Sequence, residues 1–248
     1  MSGHSKWSQI KRQKGATDVK RGQLFTKLGR ELTIAARQGG ADPEANPRLR
    51  LAMEHAREAN MPKDTMERAM KRGAGGGDAA ALEEIVYEGY GPGGAAILVE
   101  ALTDNRNRTV SEVRNTFARA GGNLGESGSV AWLFETRGLI TLDTNGADPD
   151  EVALRAIDSG ADDVKVDGGA VEVYTRPDQL SVVRRALEDA QLPVASAEVA
   201  QAPKTTVPLD ARQAAQVLRL LDKLDELDDV QRVATNADFP EEALAAYA

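Results

Sequence analysis

The feature that most constrains this chain is a change of period near its first third. Ahead of the glycine run GAGGGD, Gly73 to Asp78, apolar side chains recur every three or four residues; beyond it they alternate. Leu24, Leu28, Leu32 and Ala35 line one face of a helix that Gly39-Gly40 ends. Asn46 stands as N-cap before Pro47, the favoured first helical residue, and Leu49, Ala52, Met53 and Ala56 follow as an apolar stripe. MPKDTMERAMKRG then predicts a third helix with Met66, Ala69 and Met70 inward and Gly73 as its stop. The glycine run reads as a linker.

After that seam, LEEIVYEGYGPGGAAILVEALTDN predicts two strands around the turn Gly91-Pro92-Gly93-Gly94, and Val110, Val113, Phe117 and Ala120 mark a helix. GSVAWLFETRGLITLD reads as a strand pair or one bent strand. From GLITLD to VASAEVAQ the order is β-α-β-β-α-β, the ferredoxin-like pattern of two helices on a four-stranded sheet. The amphipathic DARQAAQVLRLLDKLDEL and the strand DVQRVATNAD are then left over, and they complete the unfinished strands and helix that precede the block. The expected fold is therefore α+β: an N-terminal three-helix domain plus two ferredoxin-like α/β domains, one inserted in the other. The boundaries are 1–77, 78–134 with 206–248, and 135–205 for the insertion.

Charge divides at the same seam. Met1 to Arg72 carries 16 basic and 8 acidic residues, a net of +8, whereas the rest of the chain is at −16. Such asymmetry points to a polyanionic partner. There is no cysteine, which excludes disulfides, thiolate catalysis and cysteine zinc sites and fits a reducing compartment. No segment approaches the ~20 apolar residues of a membrane span, and no apolar stretch follows the basic start as in a secretory signal. The expected location is the cytoplasm.

Catalytic constellations are missing from the pattern. His4 and His55 are the two histidines and have no ligand-spaced acids. GESGS, Gly125 to Ser129, has serine where a nucleophile elbow needs its last glycine, and GAGGG and YGPGG lack the Lys-Ser/Thr pair of a phosphate loop. The acidic run LDKLDELDD, Leu221 to Asp229, lacks the spacing of a calcium loop and reads as a solvated helix face. The chain is expected not to be an enzyme, with no cofactor, no metal and no small-molecule substrate.

The candidate site is the basic start. Lys6, Lys11, Arg12, Lys14, Lys20, Arg21 and Lys27 are dense and poorly matched by acids, with Trp7 among them to stack on an exposed base. Phe25 fits the buried face of the first helix. A second cluster, TDNRNRT, adds Arg106 and Arg108, with Asn105 and Asn107 as helix caps. The competing reading is that these cations merely solubilise the chain or dock on its own acidic zones. Phosphate contacts carry no sequence information, so DNA and RNA both remain open as targets.

Many stretches resemble the YebC/PmpR family: GHSKW at the start, KRG and FTKL, ANPRLR, NMPKDTMERA, KRGAGG, YEGYGPGG, TDNRNRT and GSVAWLF. They run through the whole chain in order. One departure is KRQKGA, Lys11 to Ala16, where members more usually carry a histidine near Arg12 and alanine in place of Gly15; the charge is kept. The resemblance implies a helical domain and two α/β domains, one interrupting the other. It implies a DNA-binding transcriptional regulator or, in a competing view of the same family, a ribosome-associated translation factor that relieves stalling through ribosomal RNA. Mitochondrial members act as translational activators of a cytochrome oxidase subunit. Under either view the implied contacts are Lys6, Trp7, Lys11, Lys14, Lys20, Arg21 and Lys27, then Arg106 and Arg108.

Overall fold

The structure, a computed structural model, describes Trp7 and residues 18–75, 82–167 and 170–247, the side chains of 18–20 excepted. The chain divides into two compact units, one of residues 133–206 and one formed by the segments on either side of it. Among the described residues no helix is long and apolar enough to cross a membrane.

The first three helices are α1 (Asp18–Gly39), α2 (Pro47–Glu58) and α3 (Lys63–Ala74). Leu32, Ala35 and Ala36 of α1 meet Leu49, Ala52 and Ala56 of α2 and Met66 and Ala69 of α3, with Phe25 packed half-buried at the margin. Asn46 both caps α2 and ties it to α1. Its carboxamide oxygen accepts from the Leu49 amide at 3.1 Å, and its nitrogen donates to the Ala35 and Gly40 carbonyls at 2.8 Å each. Gly73 is not the stop that its position suggests. It lies buried inside α3, where a Cβ would stand 2.2 Å from the Thr33 carbonyl oxygen, so it is the point of closest approach to α1. The rest of the expected linker, Gly76 to Asp78, lies outside the described residues.

The chain next forms a hairpin of β1 (Glu83–Tyr90) and β2 (Ala96–Thr103), registered from Glu83↔Thr103 to Tyr90↔Ala96. Its turn needs positive φ at Gly93 (74°) and Gly94 (78°), which glycine adopts without strain. Then come α4 (Arg106–Arg119) and the short β3 (Asn123–Leu124).

The intervening unit contains β4 (Phe134–Asp143), α5 (Pro149–Asp158), β5 (Asp163–Asp167), β6 (Ala170–Thr175), α6 (Leu180–Asp189) and β7 (Val194–Pro203). Its sheet order, β5-β6-β4-β7, is antiparallel throughout and is that of a ferredoxin-like fold. The stretch read as a bent strand is a 3₁₀ turn, Ala131–Leu133, leading into β4.

The chain then returns through β8 (Val207–Pro208), α7 (Ala211–Asp225), β9 (Val230–Thr235), β10 (Ala237–Asp238) and α8 (Glu241–Tyr247). β9 adds to β2, completing the order β3-β1-β2-β9. A capping box opens α7: Asp210 accepts from the Gln213 amide at 2.8 Å while Gln213 accepts from the Asp210 amide at 3.2 Å. Val113 and Phe117 of α4 and Val217, Leu218 and Leu221 of α7 bury Ile97, Val99 and Val233 of the sheet. The small parallel pair β8–β10 and the helix α8 carry too few residues for a periodic signal, and only the structure reveals them.

Gly73→Ala is expected to destabilise the protein by about 1–3 kcal/mol, because the added methyl meets backbone rather than a yielding side chain. Urea denaturation of the two proteins measures the difference.

Candidate nucleic-acid interface

The structure distributes the expected contact residues unevenly. Lys6, Lys11, Arg12 and Lys14 lie outside the described residues, and Lys20 falls in α1 with its side chain outside the description. Arg21 is exposed near the start of α1. Trp7, expected to meet a base, is 3% exposed and packs into the core shared by α4, α7 and their sheet. Its indole Nε1 donates to Asp222 at 2.9 Å. No face of the ring is open to stack in this conformation. Lys27 is likewise turned inward, donating to the Asp225 carbonyl and pairing with its carboxylate at 3.7 Å.

These contacts overturn the reading of Leu221 to Asp229 as a solvated face. The acidic run is where the basic helix docks. Asp222 receives Trp7 and the Tyr247 hydroxyl, and Asp225 receives Lys27. Burial pushes the Tyr247 hydroxyl pKa up, and the bond to the Asp222 carboxylate adds to that.

At the end of the run Asp229, with its side chain 3% exposed, gathers four partners. Arg30 of α1 donates at 2.6 Å to Oδ1 and to the Asp228 carbonyl. Arg108 of α4 donates to Oδ2 at 2.7 Å and Oδ1 at 3.0 Å, and also to Asp104 at 2.8 Å. The hydroxyls of Thr109 and Thr103 donate to Oδ2 at 2.6 and 3.2 Å. Burial alone would raise the carboxyl pKa. The Thr109 and Arg108 hydrogen bonds and the charges of Arg30 and Arg108 outweigh it, so the group titrates below its ordinary value. Thr103, Arg108 and Thr109 of TDNRNRT thus converge on Asp229, while residues 104–108 lie at the surface. Asn105 caps α4 by accepting from the Arg108 amide at 3.1 Å, as its type predicts, and Arg106 is the arginine of the pair left exposed without a carboxylate among the described residues.

A second tether joins the helices to β1. Arg37 donates to the Leu82 carbonyl at 2.7 Å, and Arg48 bridges Glu31 at 2.9 Å and Glu84 at 2.5 Å. Burial raises the Glu31 pKa, but its bond and charge pairing with Arg48 leave it lowered. Exposed cations remain elsewhere on the helices: Arg57 on α2, and Arg68, Lys71 and Arg72 on α3. Sequence reasoning singled out none of these four, although Lys71-Arg72 were visible as an unmatched pair.

Glu88 of β1 was also missed. It is 5% exposed, and its carboxylate accepts the amides of Gly128, Val130 and Ala131 at 2.6, 2.7 and 2.7 Å. Burial raises its pKa, yet the three N–H groups bring it below the ordinary value. This nest, with Tyr90 donating to the Ser129 carbonyl at 3.0 Å, holds the loop that presents Trp132. That indole donates to the same carbonyl at 3.1 Å and remains 66% exposed. The expected stacking residue Trp7 is therefore core, and the open aromatic face belongs to Trp132, which the sequence did not single out.

Comparison with known proteins agrees with this architecture. The family model described as the TACO1/YebC protein N-terminal domain matches residues 5–76, and that of the TACO1/YebC second and third domain matches residues 82–237. The chain belongs to the TACO1/YebC family. Among its relatives in that family, a "Probable transcriptional regulatory protein" of Roseiflexus castenholzii is 58% identical over 98% of this chain and 97% of its own length. One of Dehalococcoides mccartyi strain CBDB1 with the same description is 54% identical over 100% of this chain and 98% of its own. The crystal structure of a conserved hypothetical protein of Aquifex aeolicus superposes with a TM-score of 0.82 at 47% identity, covering 90% of this chain and 92% of that one. The TACO1/YebC relatives are thus named as regulators, and the fold is theirs.

Asp229→Ala is expected to lower stability by about 3 kcal/mol, since it strands two arginines and two hydroxyls. A carboxyl whose folded pKa is depressed contributes stability above its unfolded value of about 3.9, and that contribution fades as pH falls through the folded pKa. The wild type should therefore lose stability below about pH 4, and Asp229→Asn should flatten that acid limb in urea titrations. Glu88→Ala should cost about 2 kcal/mol by removing a charged acceptor from three amides, read by the same assay.

Proposed function

We infer that the protein is a non-enzymatic, nucleic-acid-binding regulator of gene expression, acting as a DNA-binding transcriptional regulator. The observation that carries the reading is the charge left over after the helices dock. Lys27, Arg30, Arg37 and Arg48 are spent on the acidic run, on a carbonyl and on Glu31 and Glu84. Arg21, Arg57, Arg68, Lys71 and Arg72 stay exposed on the same helices, and Arg106 on α4. The sequence adds Lys6, Lys11, Arg12 and Lys14 ahead of them, a run with no acid within it. Cations in that number neutralise phosphates and release counterions, so binding weakens steeply with salt. The relatives' printed name supports transcription as the process.

A second reading, a ribosome-associated factor that contacts ribosomal RNA, is favoured by two observations. The chain beyond Arg72 carries a net −16, which repels a long duplex, and Trp132 presents an indole suited to an unstacked base. Crosslinking the tagged protein in growing cells and sequencing its bound DNA and RNA separates the two. Promoter fragments with ribosomal RNA at background support the first; discrete ribosomal RNA positions replace it with the second; neither enriched defeats both. Lys6, Lys11 and Lys14 changed together to Glu should abolish retention of nucleic acid on a filter at ordinary salt. Trp7→Phe should retain it while lowering stability by about 1 kcal/mol through loss of the bond to Asp222.

A further inference from the structure

A cleft of about 1080 Å³ opens between the start of α1, the end of α4 and the solvent side of α7. Gln23, Thr116, Arg119, Arg219, Lys223 and Glu226 supply its polar lining. We propose that this cleft binds the phosphodiester backbone of a single nucleic-acid strand, with Arg119 and Arg219 as its two phosphate contacts. The proposal rests on the nucleic-acid reading above and adds to it the part of the α/β domain that faces the start of α1.

Charge selects the occupant. Lys223 is neutralised by Glu226 at 2.7 Å. Arg119 and Arg219 are exposed, and neither has an ion-pair partner among the described residues. Two uncompensated guanidinium groups therefore face one cleft, on a part of the chain that is otherwise strongly acidic. The end of α4 does not cancel them: the Phe117 and Ala118 carbonyls already accept from the Gly122 and Gly121 amides at 2.9 and 3.2 Å. Gly121 has φ +77° and open space where a Cβ would stand, so the rim stays unobstructed.

Helices on three sides suit one flexible strand, whose backbone follows a basic groove while its bases turn outward. A duplex presents its phosphates on a rigid convex surface that such a recess does not match.

The test measures binding of fluorescein-labelled 12-mers of oligouridylate and oligodeoxythymidylate, and of a 12-base-pair duplex, to the full-length protein across a salt series. Losing two single-strand phosphate contacts in Arg119→Ala/Arg219→Ala should reduce the slope of log K against log salt by about 1.4 and weaken binding about 25-fold at 0.1 M salt. Arg119→Lys/Arg219→Lys should keep the slope, which separates charge from packing and from any misfolding of the alanine pair. An unchanged slope in the alanine pair overturns the cleft while leaving the nucleic-acid reading intact if the wild type still binds. A weaker affinity with an unchanged slope also overturns it, as does an equal loss for the duplex. A wild type that binds none of the three probes defeats the cleft and the reading beneath it together.

Discussion

The carboxylate of Asp229 is the interaction on which the larger unit depends. It receives Arg30 from the helical module, Arg108 and Thr109 from α4, and Thr103 from the end of β2. Buried charge is costly unless it is paired and every lone pair is occupied. Here four donors from three segments meet one carboxylate, so its position fixes the angle at which α4 leaves the sheet and α1 lies against it. Asp225 and Asp222, four and seven residues earlier, repeat the arrangement with Lys27 and Trp7. The acid side of the chain is therefore a receptor for the basic side.

Most elements were legible because their apolar spacing is regular. The ferredoxin-like order of the inserted unit and the capped starts at Asn46 and Asn105 follow from local chemistry that tertiary packing does not reverse. Gly73 was misread for a physical reason: a glycine that ends a helix and a glycine that lets two helices touch look alike until the partner, the Thr33 carbonyl, is known. Glu88 was invisible for a similar reason. Its three donors are backbone amides forty and more residues away, and amides leave no trace in residue identity.

The candidate site was legible in kind but not in detail. A count of cations measures formal charge, whereas a ligand meets only the charge that neighbours have not already neutralised. Lys27 and Arg108 belong to the first count and largely not to the second. Arg119, Arg219, Lys71 and Arg72, which lie outside the dense basic start, belong to the second. The aromatic partner shifted likewise. An indole in a basic segment invites stacking, yet the largest apolar surface in that segment is also the best anchor for it, and burial won for Trp7.

The nesting of one unit within another has a consequence for biosynthesis. Arg108 and Asp229 are 121 residues apart, with the whole of residues 133–206 between them. At ribosomal speeds of about 5–20 residues per second, the arginine waits roughly 6–24 s for its carboxylate. The intervening unit has its own complete sheet and can fold during that delay, whereas β2 emerges with an edge that only β9 will cover. The nascent chain thus passes through a stage with its basic helices made and their acidic receptor still unsynthesised, when those cations are open to any polyanion near the tunnel exit.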